Sequence, residues 1–200
     1  MLFRSVQSSH LVFDGGTLQT TAGFTLNSNR GINLSGNGTI NTNSSTQLNY
    51  GGQIQGSGSL TKDGAGTLLL SAANNFSGNL NIDGGTLSVS AVDQLGRTGA
   101  NTITFDGGTL LATSDFTLDS SRGISLDGNG TFNVDAGVTL DYAGVISGSG
   151  ALTKSGTGKF LLSGANTYSG DTNITAGTFQ VTGTLADTTD VVVKIGRAHV

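Results

Sequence analysis

Cysteine, proline, tryptophan and glutamate are all absent from these 200 residues. Without Cys there is no disulfide, no thiolate metal ligand and no Cys nucleophile. The same absence suits export, because a chain threaded unfolded through a narrow pore gains from having no crosslink to lock it early. All 13 acidic residues are Asp, and Lys and Arg together number only nine. The residues that build exposed helices are therefore scarce. Only His10 and His199 exist, one near each end, which excludes an internal Ser-His-Asp triad and argues against a His metal site. The scattered basic residues and a net charge of −4 leave no footprint for nucleic acid and no polybasic membrane patch. No run approaches the ~20 apolar residues of a spanning helix, so no direct membrane insertion is expected. Met1 to Ser5 opens no apolar signal-peptide core, so a targeting segment for a secreted protein would lie outside this sequence.

What is present is glycine, at 33 residues, with abundant Asn, Ser and Thr around short apolar stretches. This mixture favours strands and tight turns. The chain also repeats itself at an ungapped offset of 92 residues. Phe13-Asp14-Gly15-Gly16-Thr17-Leu18 returns as Phe105-Asp106-Gly107-Gly108-Thr109-Leu110, and Leu60-Thr61-Lys62 returns as Leu152-Thr153-Lys154. More than half of the positions from Phe13 to Val89 are identical to their counterparts from Phe105 to Val181. A fixed period of this length signals stacked units that bury their apolar faces against their neighbours. Duplication also argues against an enzyme, because an active site is asymmetric while nearly everything distinctive here occurs twice.

Within the long repeat, Gly-Thr before an apolar residue recurs at Gly16, Gly38, Gly66 and Gly85, then at Gly108, Gly130 and Gly177, with Gly158 reading Gly-Lys-Phe. The steps of 22, 28, 19 and 23 residues suggest four coils per repeat. Short alternating segments such as Asn79-Leu80-Asn81-Ile82 and Thr86-Leu87-Ser88-Val89 read as half-buried strands. The pattern predicts an all-β protein, a right-handed parallel β-helix (a β-solenoid) of about eight coils in two 92-residue repeats. Stacking at ~4.8 Å would give a rod on the order of 40 Å long. An antiparallel sandwich ranks second, since Asn-Gly pairs also mark hairpins. The reading treats residues 1–200 as one solenoid segment, with repeats at 11–89 and 103–181 and a junction at 90–102. Ser90 to Arg97 is the only stretch suited to a helical turn. Residues 1–9 and 194–200 have no counterpart in the repeat, read as irregular or non-native flanks, and give neither end a recognisable cap. Equivalent positions are expected to share a core face: Leu69 with Leu161, Ile82 with Ile174, Leu48 with Leu140.

Two segments go beyond generic patterning. Gly58 to Gly78 reads GSLTKDGAGTLLLSAANNFSG, followed by Asn81-Ile82 and Gly84-Gly85-Thr86-Leu87. Gly150 to Gly170 reads GALTKSGTGKFLLSGANTYSG, followed by Asn173-Ile174 and Gly177-Thr178-Phe179. Both closely resemble the autotransporter-associated β-strand repeat, also called the passenger-associated transport repeat, whose pattern is roughly L-T-K-x-G-x-G-T-L-x-L-S-G-x-N-T-Y-S-G-x-T-x-I-x-x-G-T-L. Ala72, Phe76 and Lys159 depart from its usual Gly, Tyr and Thr. The resemblance implies a piece of a type V secreted passenger on the surface of a Gram-negative bacterium, carried there by a C-terminal outer-membrane β-barrel translocator. It implies a stalk or spacer that assists its own export. An adhesin binding host glycan or protein is the alternative, and a polysaccharide-cleaving β-helix a weaker third. A contiguous aromatic or apolar flank would favour the adhesin, and a uniformly polar flank the spacer.

No catalytic, cofactor or metal residues are assigned. Asp127, Asp135 and Asp141, with Arg122 near, would form the acidic cluster of a pectinase-like cleft, but their counterparts Ser35, Asn43 and Asn49 carry no charge. Asp127 to Thr131 is close to a calcium loop, yet Phe132 stands where such a loop needs Gly and Val138 where it needs Glu. Gly148 to Ser155 fails as a phosphate loop because Thr153 replaces its Gly. Lys62 and Lys154, like Arg30 and Arg122, read as stems lying along a coil with their heads at turn carbonyls or an Asp. Phe76, Tyr168, Asn74 and Asn166 read as turn-packing and turn-capping residues. Asn37, Asn75, Asn129 and Asn173 sit in glycosylation-type triplets, which an Asn- and Thr-rich chain contains by chance.

Overall fold

The computed structural model of the chain describes residues 11–97, 99, 101–186 and 190–193. The flanks 1–9 and 194–200, and both histidines, lie outside the described residues. The chain winds as a three-sided parallel β-solenoid of about eight turns, three short strands per coil. Every strand pair is parallel, so the sandwich reading falls.

One side begins with Leu11–Phe13, Ile32–Leu34, Ile54–Gly56 and Asn75–Phe76. The second stacks Thr17–Thr20, Gly38–Thr42, Leu60–Asp63, Leu80–Ile82, Ile103–Phe105, Ile124–Leu126 and Ile146–Gly148. The third runs Phe24–Leu26, Gln47–Tyr50, Thr67–Leu70, Thr86–Val89, Thr109–Ala112, Gly130–Val134, Leu152–Ser155, Thr172–Ile174 and Val191–Val193. The first side is interrupted by a 3-10 turn, Val92–Leu95, and resumes with Phe116–Leu118, Thr139–Tyr142, Lys159–Leu162 and Thr178–Val181. The turn occupies the level a strand would take. The Asn74 amide donates to Asp93 O and the Arg97 amide to Phe76 O, both at 2.9 Å. Among the described residues no helix is long and apolar enough to cross a membrane.

This turn changes the meaning of the 92-residue period. Twelve strands and one turn make thirteen sides, that is four coils and one side rather than four coils. The strand Ile103–Phe105, which repeats Leu11–Phe13 of the first side, therefore stacks on Leu80–Ile82 of the second. The 28-residue step between Gly38 and Gly66 is where the Gly-Thr motif moves from the second side to the third. Coil lengths read from the register run between 19 and 24 residues, as in Leu68 to Leu87 and Phe24 to Leu48.

Period-two alternation fills the core from all three sides. Leu48, Leu140 and Ile82 are fully buried, as expected. Ile174, twin of Ile82, is half-buried beside the last ladder strand. Leu69 and Leu161 correct the expectation. Both are half-buried and point outward, because Leu68 and Leu70, and Phe160 and Leu162, already take the inward places on their strands. The twins still agree with each other, so the register holds while the face was misassigned. In the later coils Phe105, Phe132, Phe160 and Phe179 stack as a core ladder, with centroids 5.0, 4.7 and 5.6 Å apart.

Candidate functional site

The residues with the most chemistry are turned to holding the backbone. Lys62 and Lys154 are fully buried. Each leaves its strand at a corner, and its side chain bends back under the turn that follows. Lys62 Nζ donates to the carbonyls of Asp63 and Gly64 at 2.8 Å and of Gly84 in the next coil at 3.0 Å. Lys154 Nζ donates in the same way to Ser155, Gly156 and Ala176 at 2.6, 2.8 and 3.3 Å. Gly64 and Gly156 shape this cradle. Their φ values of 75° and 70° turn their carbonyls inward, and a Cβ at either would run into the coil below. Burial pushes Lys62 down to about 8, the Asp63 charge pulling it back up, and burial alone pushes Lys154 down to about 8. The expectation of lysine stems ending at turn carbonyls is met at both sites.

The two arginines part company. Arg122 is 1% exposed, and its guanidinium spans the end of the 3-10 turn. It donates to Leu95 O at 2.7 Å, Gly96 O at 3.0 Å and Arg97 O at 2.8 Å, and its Nε is buried without a partner. Desolvation lowers its pKa, with Asp119 opposing. Its own carbonyl accepts the Tyr142 hydroxyl at 2.6 Å, and burial pushes that phenol up to about 12. Arg30 sits in an equivalent turn, and Tyr50 OH likewise donates to its carbonyl at 2.8 Å, but its side chain is exposed.

Asn74 and Asn166 cap between coils. Asn74 Oδ1 accepts the Ile54 amide at 2.8 Å while its Nδ2 donates to Gln94 O. Asn166 Oδ1 accepts the Ile146 amide at 3.0 Å while its Nδ2 donates to Thr184 O. Asn37 and Asn129 accept the amides of Ser59 and Ala151 across one coil, whereas Asn75 is exposed and Asn173 half-buried. Phe76 and Tyr168 are fully buried beside these caps. They belong to a substitution that sequence reading missed: Tyr168 OH meets Thr172 Oγ1 at 2.5 Å where the first unit has Phe76 and Leu80. The signal was there, since both members of the pair change together.

The three candidate acids are not brought together. Asp127 follows a strand of the second side, Asp135 a strand of the third, and Asp141 lies within a strand of the first. Asp127 accepts Ser125 Oγ at 2.5 Å. A different column of carboxylates does form, where Asp63 ends a second-side strand and Asp83 and Asp106 follow those of the next two coils. Partial burial, then the charges of Asp106 and Asp63, push the Asp83 carboxyl above its usual range. Among the described residues no group of three or more His, Cys, Asp or Glu is arranged to hold a metal.

The outer surface carries no continuous apolar flank among the described residues. The exposed large apolar side chains are Val12 and Phe24 in the first coil, Val191 and Val192 in the last ladder strand, and Val145 alone between them. A groove of about 360 Å³ opens where the 3-10 turn interrupts the first side, between Val92 and Thr117 to Ser120.

Two stretches, residues 60–89 and 152–181, match the family described as passenger-associated-transport-repeat. Among curated proteins, the chain is 48% identical over 141 residues to "Adhesin BmaC autotransporter" of Brucella suis biovar 1 (strain 1330). That alignment takes in 70% of this chain and 4% of the relative, so the chain spans a small fraction of the protein it matches. No solved structure matches.

Proposed function

We infer, from a chain that carries two passenger-associated transport repeats in one continuous β-solenoid, that it is a segment of an autotransporter passenger acting as a non-enzymatic spacer at the surface of a Gram-negative bacterium. The observation that carries this reading is where the reactive side chains go. Both buried lysines, the buried arginine and the capping asparagines spend their hydrogen bonds on the solenoid's own carbonyls and amides. The polar flank favours a spacer over an adhesin. A C-terminal outer-membrane barrel is the partner such a passenger needs for export. Each coil added outside the cell buries apolar surface against the one before. Folding from one end would therefore bias transit outward without ATP.

The test is made in the parent surface protein. Deleting one 92-residue unit in register should leave surface display intact and shorten the rod. Ile82→Asp, which places a charge at a fully buried site, should cut display sharply. Full display of the Asp variant would remove the export role. Loss of host-cell attachment on deleting the unit, with display and the rest of the passenger intact, would favour the adhesin named in the relative.

A further inference from the structure

The two units present the same surface to whatever precedes them, and among the described residues only the second has that surface covered. In the second unit Ile103, Leu110 and Leu118 are at most 1% exposed, because the strands that hold them rest on the coil and junction turn before them. Their first-unit twins Leu11, Leu18 and Leu26 are only half-buried, and Phe24 is 43% exposed. The arginines follow suit. Arg122 reaches down from an Asp119–Arg122 turn, in which the Arg122 amide donates to Asp119 O at 3.0 Å and the Ser121 amide to Asp119 Oδ1 at 2.8 Å. Arg30 reaches from an Asn27–Arg30 turn with the same two bonds, at 3.0 and 2.9 Å. The turn that carries the arginine is built alike in both units. What the first lacks, among the described residues, is the set of three carbonyls that Leu95, Gly96 and Arg97 offer the second.

We propose that the surface around Arg30 is a docking face for another unit of this same repeat, joined covalently ahead of it, and that Arg30 closes on the carbonyls ending that unit's junction turn. The occupant follows from an interface already present in the chain. The second unit docks on the first through the same apolar positions and the same arginine. An ordinary strand end would not serve, because its carbonyls point along the ladder. The end of a 3-10 turn leaves several carbonyls free and pointing one way, which the two terminal nitrogens of a planar guanidinium bridge together, as at Arg122, and which the single nitrogen of a lysine would meet less fully. The proposal rests on the spacer reading, in which units are concatenated, but its test uses purified folded protein and no export step, so either can fail alone.

The experiment compares thermal melts of the 200-residue chain with those of a longer chain carrying an extra copy of residues 11–102 directly ahead of residue 11. Arg122→Ala should lower the midpoint by roughly 5–10 °C in both, since it strands buried carbonyls. Arg30→Ala should be nearly silent in the 200-residue chain and as costly as Arg122→Ala in the longer one. Arg30→Lys should recover only part of that loss. Amide exchange in the added unit's junction turn gives a second readout: slow with Arg30, fast with Ala. A silent Arg30→Ala in the longer chain, or equal costs at both arginines in the 200-residue chain, would overturn the proposal. So would dimers of the 200-residue chain that Arg30→Ala dissolves in sedimentation, because the occupant would then be a separate molecule.

Discussion

In the second unit Phe105, Phe132, Phe160 and Phe179 stack through the core, whereas the first unit places Phe13, Ile40, Leu68 and Leu87 at the same four positions. The first unit also buries two hydroxyls, Thr20 and Thr42, which lie in register and find no partner. Their twins Ala112 and Val134 lie in register too, with nothing left to satisfy. Ser45 of the first unit holds a φ of 61°, and its twin Gly137 a φ of 77°. Against these differences the corner lysines, the capping asparagines and the tyrosines whose hydroxyls meet an arginine carbonyl are constant. The comparison teaches a division of labour. The side chains that tie a coil's backbone by two or more bonds, Lys62 and Asn74 with their twins, are fixed, whereas single bonds are not: Ser35, Thr46 and Ser59 bond backbone groups where the second unit has Asp127, Val138 and Ala151. Side chains that only fill the core vary in touching pairs, because a solenoid core couples each residue to its neighbours one coil away. At these core positions the second unit is the better satisfied, although its Arg122 Nε is itself buried without a partner.

The largest test sets an inward residue against its outward neighbour. Leu70→Asp should lose several kcal/mol, most or all of the margin of a typical domain, while Leu69→Asp should lose under about 1. Leu162→Asp and Leu161→Asp should repeat the contrast in the second unit. Similar urea midpoints within either pair would break the assignment of faces.

The lysines should make stability depend on pH, equally in both units. Their folded pKa of about 8 lies below the ordinary 10.5, so above pH 8 the folded chain releases protons that the unfolded chain still holds. Stability should therefore rise by up to a few kcal/mol from about pH 8 to about pH 10. Below that window both states are protonated and the lysines add no slope. Above about pH 10 the trend reverses, because tyrosines ionise in the unfolded chain while Tyr142, held up to about 12, stays neutral in the folded one. Lys62→Met and Lys154→Met should each halve the rise. A flat profile would show that the ammonium groups remain charged throughout.

Swapping core residues between units comes next. Phe132→Ile breaks the ring ladder and should lose about 1–3 kcal/mol, and Ile40→Phe should lose a similar amount by overpacking. A stabilising Ile40→Phe would mean that the first core has room that the comparison denies. Thr42→Val, which copies Val134, should gain about 1 kcal/mol by removing an unpaired buried hydroxyl. Ser45→Gly, which copies Gly137, should gain about 0.5 kcal/mol by relieving a left-handed backbone. A loss in either melt would show that the first unit uses those residues in a way the fold does not reveal.

The sequence carried the architecture well, and for physical reasons. An ungapped offset together with period-two alternation leaves few folds open, and the junction turn at Val92–Leu95 fell where the only helix-compatible stretch stood. Several things escaped it. The run Leu68-Leu69-Leu70 has no polar residue to mark the outward position, so periodicity could not say which leucine turns away. The side a motif occupies is likewise silent in sequence, because a 28-residue step is consistent with a longer coil or with a coil plus one side. The lysines' destination was legible because a charged residue at the same place in both units, next to glycine turns, has few partners other than carbonyls. Nothing in the identical arginines told that one would be enclosed and the other, among the described residues, exposed.

The extra side in each unit has an effect on how a chain of such units meets its surroundings. Each unit is turned by about a third of a revolution relative to the last, so any outward residue repeated along the array faces a new direction each time and returns to its first heading only at every third unit. No flank accumulates a straight stripe of identical side chains. Two parallel rods of such units packed side by side would thus have no long matching edges to zip together, and a contact displayed once per unit would be offered to three bearings around the axis in turn.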